Sequence, residues 1–340
     1  MQDMSEKLRV GVIGCGAIHH HHAKAIAEDG RLELAGFADI ERARAEDSAR
    51  LYGGRAYTDY LDMIDRERLD AVHICTPHYL HEPMAVEAMR RGCDVFCEKP
   101  MAISVEGAQR MAAASRETGR RLGISFQNRF RETSQLAMEK LRSGRLGRVI
   151  GAKATMTWSR SVDYYRTGAW RGLWATEGGG VLINQSIHTL DLLDQLCGGF
   201  SAVSAHVDRF MLPDPYEVED TAVANFMIKG GGNAIFFATN CYAVSTPPIV
   251  SVVCEDAVLT LGEELTIEYK NGRRESFCDP TAPVSGKVVW GSCHSVAIRR
   301  FYDAVLGGAP YPIGPDEGMR TMKLIDGIYR SSKQSGYVAL

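Results

Sequence analysis

The hydrophobic pattern of the first third of the chain repeats one theme. Residues 8–13 form a short apolar, β-branched run; Gly14-Cys15-Gly16 interrupts it, and 17–29 carries apolar positions at helical spacing. A second run, 32–38, ends on Asp39 and is followed by a helical stretch at 41–51. The theme recurs at 70–76 with a helix at 81–91, then at 94–97 with a helix at 105–118, and closes with a run at 121–126. Strands alternating with helices of about ten to fifteen residues predict a parallel sheet covered on both faces. The expectation is a doubly wound, Rossmann-like α/β domain over residues 1–125.

From residue 126 the rhythm changes. Residues 150–159, 201–210, 222–228, 234–241, 249–254 and 257–261 read as strands with few helices between them, and Gly230-Gly231-Gly232 suits a tight reversal. Helices at 184–196 and 294–305 frame this region. The product is an α+β domain over 126–340 with a large, mostly antiparallel open sheet. One sheet face packs on helices and the other stays available for a partner or a ligand. A last helix, 316–331, is expected to pack back on the first domain.

Composition narrows the function classes. A chain of 340 residues holds two domains of ordinary size, and 45% apolar with 24% charged residues excludes a disordered chain or a fibre. Thirty-nine basic against forty-two acidic side chains give a net charge of −3 without a basic tract, so nucleic acid is not an expected partner. The nine cysteines are odd in number and scattered, which fits a reducing compartment; Cys93 and Cys97 read as buried apolar thiols. The N-terminus shows no leader, and no run reaches the length of a membrane span. The expected address is the cytoplasm, with no membrane contact.

Gly11-x-x-Gly14-x-Gly16 follows a strand and opens a helix. Missing side chains let the backbone approach a pyrophosphate, and the N–H groups of the following helix, from Ala17 and Ile18 on, favour an anion. The bland alternative is a turn glycine pair with no ligand. A full GxGxxG would need glycine where His19 stands. Asp39 ends the next strand, where a carboxylate accepts from ribose hydroxyls and repels a 2′-phosphate; Ile40 follows rather than arginine, so NAD is favoured over NADP. In His19-His20-His21-His22 only the first and last share a helical face, so no metal is expected.

Two further clusters bear chemistry. Cys97-Glu98-Lys99-Pro100 leaves the sheet at its carboxyl edge, where open α/β sheets bind ligands; Lys99 is either a proton handler or a solvated lysine paired to Glu98. After Gly178-Gly179-Gly180, the residues Asn184, His188 and Asp191 share one helical face. Asp191 is placed either to fix the His188 tautomer or to cap a neighbouring group. Trp158, Arg160, Tyr164, Tyr165, Arg166, Trp170, Arg171 and Trp174 crowd together and suit a sugar ring or a dimer contact.

Together these residues resemble the Gfo/Idh/MocA family of oxidoreductases. The likeness runs through the glycine loop with His22, Thr76-Pro77 with His81, Glu98-Lys99-Pro100, Gln127 to Phe130, Trp170-Arg171, the segment from Gly178 to Asp191, and Tyr329-Arg330-Ser331-Ser332. The resemblance implies a bound nicotinamide cofactor met by Gly11, Gly14, Gly16, Ala17, Ile18, Asp39, Ile40, Thr76, Pro77, His81, Glu98, Lys99, Gln127, Trp170 and Arg171. It implies a small polyhydroxylated substrate, a sugar, sugar derivative or cyclitol, in the cleft between the domains. Lys99, Arg129, Arg160, Tyr164, Tyr165, Asn184, His188 and His294 would hold it. His188 would take the hydroxyl proton while hydride passes to NAD, Lys99 would stabilise the alkoxide, and Asn184 would orient a neighbouring hydroxyl. Asn184 stands where many members carry aspartate. A homodimer or homotetramer through the C-terminal sheet is implied as well. Two alternatives stay open: a glycoside-processing cycle on retained NAD, and a non-catalytic dinucleotide sensor.

Overall fold

The computed structural model of the chain describes residues 7–279 and 293–340. Residues 1–6, where the absence of a leader was expected, lie outside that range. Two compact units result: Met1–Gln127 with Cys293–Met319, and Asn128–Ser292 with Arg320–Leu340.

In the first unit, β1 (Leu8–Ile13), α1 (His19–Ala27), β2 (Leu32–Ala38), α2 (Arg42–Tyr52), β3 (Arg55–Tyr57), α3 (Tyr60–Glu67), β4 (Ala71–Ile74), α4 (His78–Arg90), β5 (Asp94–Glu98), α5 (Val105–Thr118) and β6 (Leu122–Ser125) follow one another. The sheet is parallel, in the order β3-β2-β1-β4-β5-β6. Strand order reverses between β1 and β4, and ligands of open α/β sheets bind outside the carboxyl ends at such a point. Gly14, Thr76 and Lys99 leave the sheet there, just after β1, β4 and β5. The sequence pattern missed β3 and α3. β3 is a three-residue edge strand, and α3 is short. Gly11 serves this packing: a Cβ there would lie 2.5 Å from Leu69 and 2.8 Å from Met63. Its expected place at the cofactor is therefore corrected to a buried helix contact.

The second unit opens with α6 (Glu132–Arg142), β7 (Val149–Thr157), α7 (Val162–Arg166) and α8 (Ile187–Cys197). It continues with β8 (Phe200–Asp208), β9 (Thr221–Ile228), β10 (Asn233–Thr239), β11 (Ile249–Cys254), β12 (Ala257–Leu261), β13 (Glu264–Tyr269) and β14 (Arg274–Cys278). Among the described residues the sheet has nine strands, the last being Val338–Ala339 beside β8, and only β7 and β10 pair in parallel. α8 and α6 cover one face. On the other, register aligns Val223 with Phe237 and Met227 with Asn233, the face that also carries Ile235 and Ile249.

α9 (His294–Val305) packs on α1, β5 and β6 and so belongs to the first unit, not to the 126–340 domain expected from sequence. The reason is a long-range fit. Phe301 lies over Gly123, where a Cβ would stand 2.7 Å from its ring, and Tyr302 stacks on His73 with centroids 5.8 Å apart. α10 (Pro315–Gln334) also departs from expectation. Only its first turn belongs to the first unit; from Arg320 it is part of the second, where the Ser331 and Ser332 hydroxyls accept from the Ala205 and Val207 N–H groups at 2.8 and 3.0 Å. Among the described residues no helix is long and apolar enough to cross a membrane.

Candidate functional site

In the first unit the turn after β1 is built for close approach. Gly14 has φ +90°, and a Cβ there would meet the Cys75 carbonyl at 2.9 Å. Gly16 is exposed and faces open space. Asp39 closes the loop from below: Oδ2 accepts from the Cys15 N–H at 2.7 Å and Oδ1 from the Glu41 N–H at 2.9 Å. A carboxylate has about four lone-pair sites, so two such bonds leave capacity for ribose hydroxyls. Ile40 is 88% exposed beside it, Ala17 is exposed, and Ile18 starts α1 without a side-chain cap. These residues fit a dinucleotide.

The neighbouring loops are braced from beneath. Buried His81 contacts the Pro100 carbonyl through Nδ1 at 2.7 Å and the Thr76 carbonyl through Nε2 at 2.9 Å. Its expected contact with the cofactor becomes a positioning role: it ties Thr76-Pro77 to the half-buried Lys99 and to Pro100. Gln127 is buried in the short turn Gln127–Phe130.

Glu98 and His294 are corrected more strongly. Expected at cofactor and substrate, both lie in the interior of the first unit. The Glu98 carboxylate stands 3.0 Å from His22 Nε2 and 3.4 Å from His294 Nε2. His22 Nδ1 meets His73 Nδ1 at 2.8 Å, and His73 Nε2 meets the Tyr302 hydroxyl at 2.9 Å. Burial lowers both His22 and His73 below the usual imidazole range. With both rings neutral, one run of donors satisfies them: Tyr302 O–H to His73, His73 Nδ1–H to His22, His22 Nε2–H to Glu98. Burial pushes the Glu98 carboxyl up, but hydrogen bonds from His22 and His294 outweigh it and hold it well below the usual range. His22, Glu98 and His294 also present ligand-type atoms within 4.8 Å of one another.

In the second unit, a shaped loop precedes α8. Gly178 and Gly179 take φ of +83° and +147°, and a Cβ on Gly180 would lie 1.8 Å from the Glu219 carbonyl oxygen. Buried Glu219 grips this loop. Its carboxylate accepts from the Gly180 N–H at 2.9 Å, the Leu182 N–H at 3.0 Å and the Tyr329 hydroxyl at 3.0 Å. Burial pushes the Glu219 carboxyl up to about 7, against the pull of those backbone donors.

α8 begins at Ile187, so Asn184 lies in the turn before it and does not share a helical face with His188. The loop glycines, not helical periodicity, place it. Asn184 Nδ2 donates to Glu177 Oε1 at 2.6 Å and to the Tyr164 hydroxyl at 3.4 Å. Half-buried His188 stands in the first turn of α8. Asp191 is committed to Arg129 by two bonds of 2.7 and 2.5 Å, and it accepts from Thr321 at 3.1 Å. Of its two expected roles, capping a neighbour is the one observed. Arg129, expected at the substrate, is instead buried in this ion pair.

The aromatic cluster divides in two. Tyr165 is core, packed with Leu212 and Val218, and its hydroxyl accepts from Asn240 at 3.0 Å; it does not line an open site as expected. Tyr164 is half-buried, and two guanidinium groups share its ring: Arg160 at 5.3 Å and Arg171 at 4.8 Å from the centroid. Arg160 also lies over the Trp158 ring, and Arg171 over that of Trp170. Trp170 and Arg171, expected at the cofactor, thus stand with Tyr164 in the second unit. Sequence reasoning passed over Glu177, Gln185, Glu219 and Asn240. The available signal was Glu177 directly before three glycines, and the acidic run Glu217-Val218-Glu219-Asp220 directly before an apolar strand.

Residues 8–126 match the family model described as oxidoreductase family, NAD-binding Rossmann fold (GFO_IDH_MocA), and 134–260 match the GFO/IDH/MocA C-terminal domain. The chain is 31% identical over 250 residues to D-glucoside 3-dehydrogenase of Escherichia coli (strain K12), spanning 67% of this chain and 69% of that one. Among solved structures it is similar to the WlbA dehydrogenase from Bordetella pertussis in complex with NADH and UDP-GlcNAcA. The TM-score is 0.86 at 29% identity, covering 98% of this chain and 99% of that one. Levoglucosan dehydrogenase, in complex with NADH and levoglucosan, shares the fold with TM-score 0.88 at 22% identity, covering 98% and 99%. With the glycine cradle, the parallel sheet and the mostly antiparallel second sheet in place, the chain belongs to the GFO/IDH/MocA family of NAD-binding oxidoreductases.

Proposed function

We propose that the protein is an NAD-dependent dehydrogenase that oxidises a ring hydroxyl of a sugar, sugar derivative or cyclitol. The observation that carries the reading is a half-buried lysine, Lys99, leaving the same sheet edge as a glycine turn too tight for any side chain. Relatives named as glucoside, inositol and levoglucosan dehydrogenases support the substrate class. Bound NAD supplies a hydride acceptor at nicotinamide C4. The loop from Gly14 to Ile18 offers backbone N–H groups to the pyrophosphate, and Asp39 accepts from the adenosine ribose, which favours NAD over NADP.

His188 takes the hydroxyl proton as the carbon is oxidised. The Lys99 ammonium donates to the same oxygen and stabilises developing alkoxide charge; in the exchanged arrangement a neutral Lys99 amine takes the proton and protonated His188 donates. Asn184, fixed by Glu177, orients a neighbouring hydroxyl. An amide cannot accept a proton, so the acid–base work rests on Lys99 and His188. The test is near-ultraviolet absorbance of NADH in purified protein given NAD and a panel of free sugars, glycosides and cyclitols. Stoichiometric NADH growth with one ring type is expected. Product formed without net NADH would favour a cycle on retained cofactor, and NAD binding without any product would favour a sensor.

A further inference from the structure

We propose that His19 is a positioning residue for the dinucleotide: its ring holds the Gly16 carbonyl inward and thereby aims the Ala17 N–H at the pyrophosphate of NAD. The proposal rests on the reading that the loop from Gly14 to Ile18 takes that pyrophosphate.

The position departs from the dinucleotide fingerprint. In G-x-G-x-x-G the third glycine lets the first helix pack closely on the sheet, and His19 stands in its place. Its imidazole is buried rather than turned to solvent. It meets the Phe37 ring of β2 edge-on, with centroids 6.2 Å apart, and reaches the Ser48 hydroxyl of α2 through Nε2 at 2.9 Å. The volume that a glycine would leave for helix packing is filled by a ring with two polar edges.

What the ring holds follows from its single proton. Burial lowers His19 below the usual imidazole range, so the ring is neutral at neutral pH. Nδ1 faces the Gly16 carbonyl, which can only accept, so the proton sits on Nδ1 and is donated there. Nε2 then accepts from Ser48, whose one hydroxyl proton also serves the Arg44 carbonyl at 2.8 Å. The Gly16 bond is therefore the undivided one. A trans peptide is planar, with its C=O and N–H pointing in opposite directions. Since the Gly16 carbonyl is drawn to a buried ring, the N–H of the same peptide, that of Ala17, points away from the interior, on the side where Gly16 and Ala17 are exposed. Asp39 holds the loop just before this, accepting from the Cys15 N–H at 2.7 Å. Carboxylate and imidazole thus clamp the chain on either side of the Gly16 Cα. A backbone N–H donates to a phosphate oxygen by a charge-assisted, directional bond, which a peptide free to rotate makes less well.

The test measures NADH affinity of the full-length protein by fluorescence titration, and ADP-ribose affinity by displacement of NADH. His19→Ala is expected to weaken both ligands about tenfold, with the kinetic loss falling on KM for NAD rather than on kcat. His19→Asn, whose amide nitrogen stands as many bonds from Cβ as Nδ1 does, is expected to recover most of the affinity. His19→Gln, whose amide matches Nε2 and keeps only the Ser48 side, is not. Should His19→Ala fail to fold, the Asn and Gln variants decide between themselves. Equal affinity in those two, an unaltered His19→Ala, or a loss seen with NADH and not with ADP-ribose, overturns the proposal. Gly16→Asp separates it from the loop reading, because a Cβ at Gly16 meets no atom within 4 Å and the added carboxylate repels a pyrophosphate. If Gly16→Asp binds NADH as tightly as the parent, the pyrophosphate is not on this loop and the proposal goes with it. If Gly16→Asp loses affinity while every His19 variant is normal, the loop reading stands and the role of His19 does not. The expected affinity changes without turnover of any sugar would sink the dehydrogenase reading and leave His19 in place.

Discussion

At the scale of single residues, the proposed reaction gives His188 the hydroxyl proton and Lys99 the developing alkoxide charge. Lys99→Ala or His188→Ala is expected to lower kcat at least ~100-fold while NADH affinity, measured by fluorescence titration, stays near that of the parent. Near-normal turnover in either variant would remove that residue from the mechanism. Glu219 makes a different prediction. Its folded-state pKa, about 7, lies above the ordinary 4.5, so the folded protein holds a proton there that the unfolded chain releases. That contribution to stability is complete below about pH 4.5 and disappears as pH rises through about 7. The wild-type melting temperature should therefore fall relative to that of Glu219→Gln across this window, as followed by calorimetry. A difference independent of pH would show that the carboxyl is not the titrating group. The contrast between these residues marks what a sequence discloses. Lys99 and His188 sit in short local signatures, a strand-end Glu-Lys-Pro and a triple glycine before a helix. Glu219 acts on backbone N–H groups far along the chain, and Arg129 is diverted from substrate by a carboxylate that sequence pointed towards His188. Partners distant in sequence leave no local trace.

At the scale of elements, the turns count for more than the helices. Helical spacing put α5 at its observed limits, and alternation found β11 and β12, because long or strongly patterned segments carry their own signal. β3, α3 and α6 went unseen: a three-residue edge strand has too few positions to show a period, α3 spans only eight residues, and the buried face of α6 is built largely from small or polar residues, Thr133, Ser134 and Ala137 beside Met138. The start of α8 was misread by several residues for a related reason. Apolar residues at 181–183 continue the helical period, yet the glycine loop and its grip by Glu219 hold them in turns. The turn at Gly14 is the sharpest case. A side chain there combines a positive φ with a carbonyl 2.9 Å away. Gly14→Ala is expected to destabilise the first unit by about 1–3 kcal/mol and to weaken NADH binding at least ~tenfold, because the backbone donors of the loop shift. Unaltered NADH affinity in a folded Gly14→Ala protein would mean that the cofactor does not use this loop.

At the scale of the whole molecule, the pattern change near residue 126 was legible, whereas the return of α9 to the first sheet was not. That return depends on Phe301 fitting over Gly123 and Tyr302 reaching His73, pairings no periodicity encodes. The second sheet carries the remaining consequence. α6 and α8 cover one face, while the other exposes Val223, Met227, Ile235 and Ile249 at 45, 49, 51 and 41% across three adjacent or near-adjacent strands. Apolar side chains scattered singly are ordinary on a protein surface, but a row shared between neighbouring strands marks an interaction face. A second copy of the chain is the simplest occupant, since closed symmetric assembly lets one patch bury itself. Sedimentation at micromolar concentration should therefore give a dimer or tetramer. Val223→Lys with Ile235→Lys should shift it towards monomer, because solvated ammonium groups then face each other across the contact, while NADH binding per chain persists. A wild-type protein that sediments as a monomer would leave this face without a role in self-association, and a lysine variant that stays assembled would move the contact to another surface.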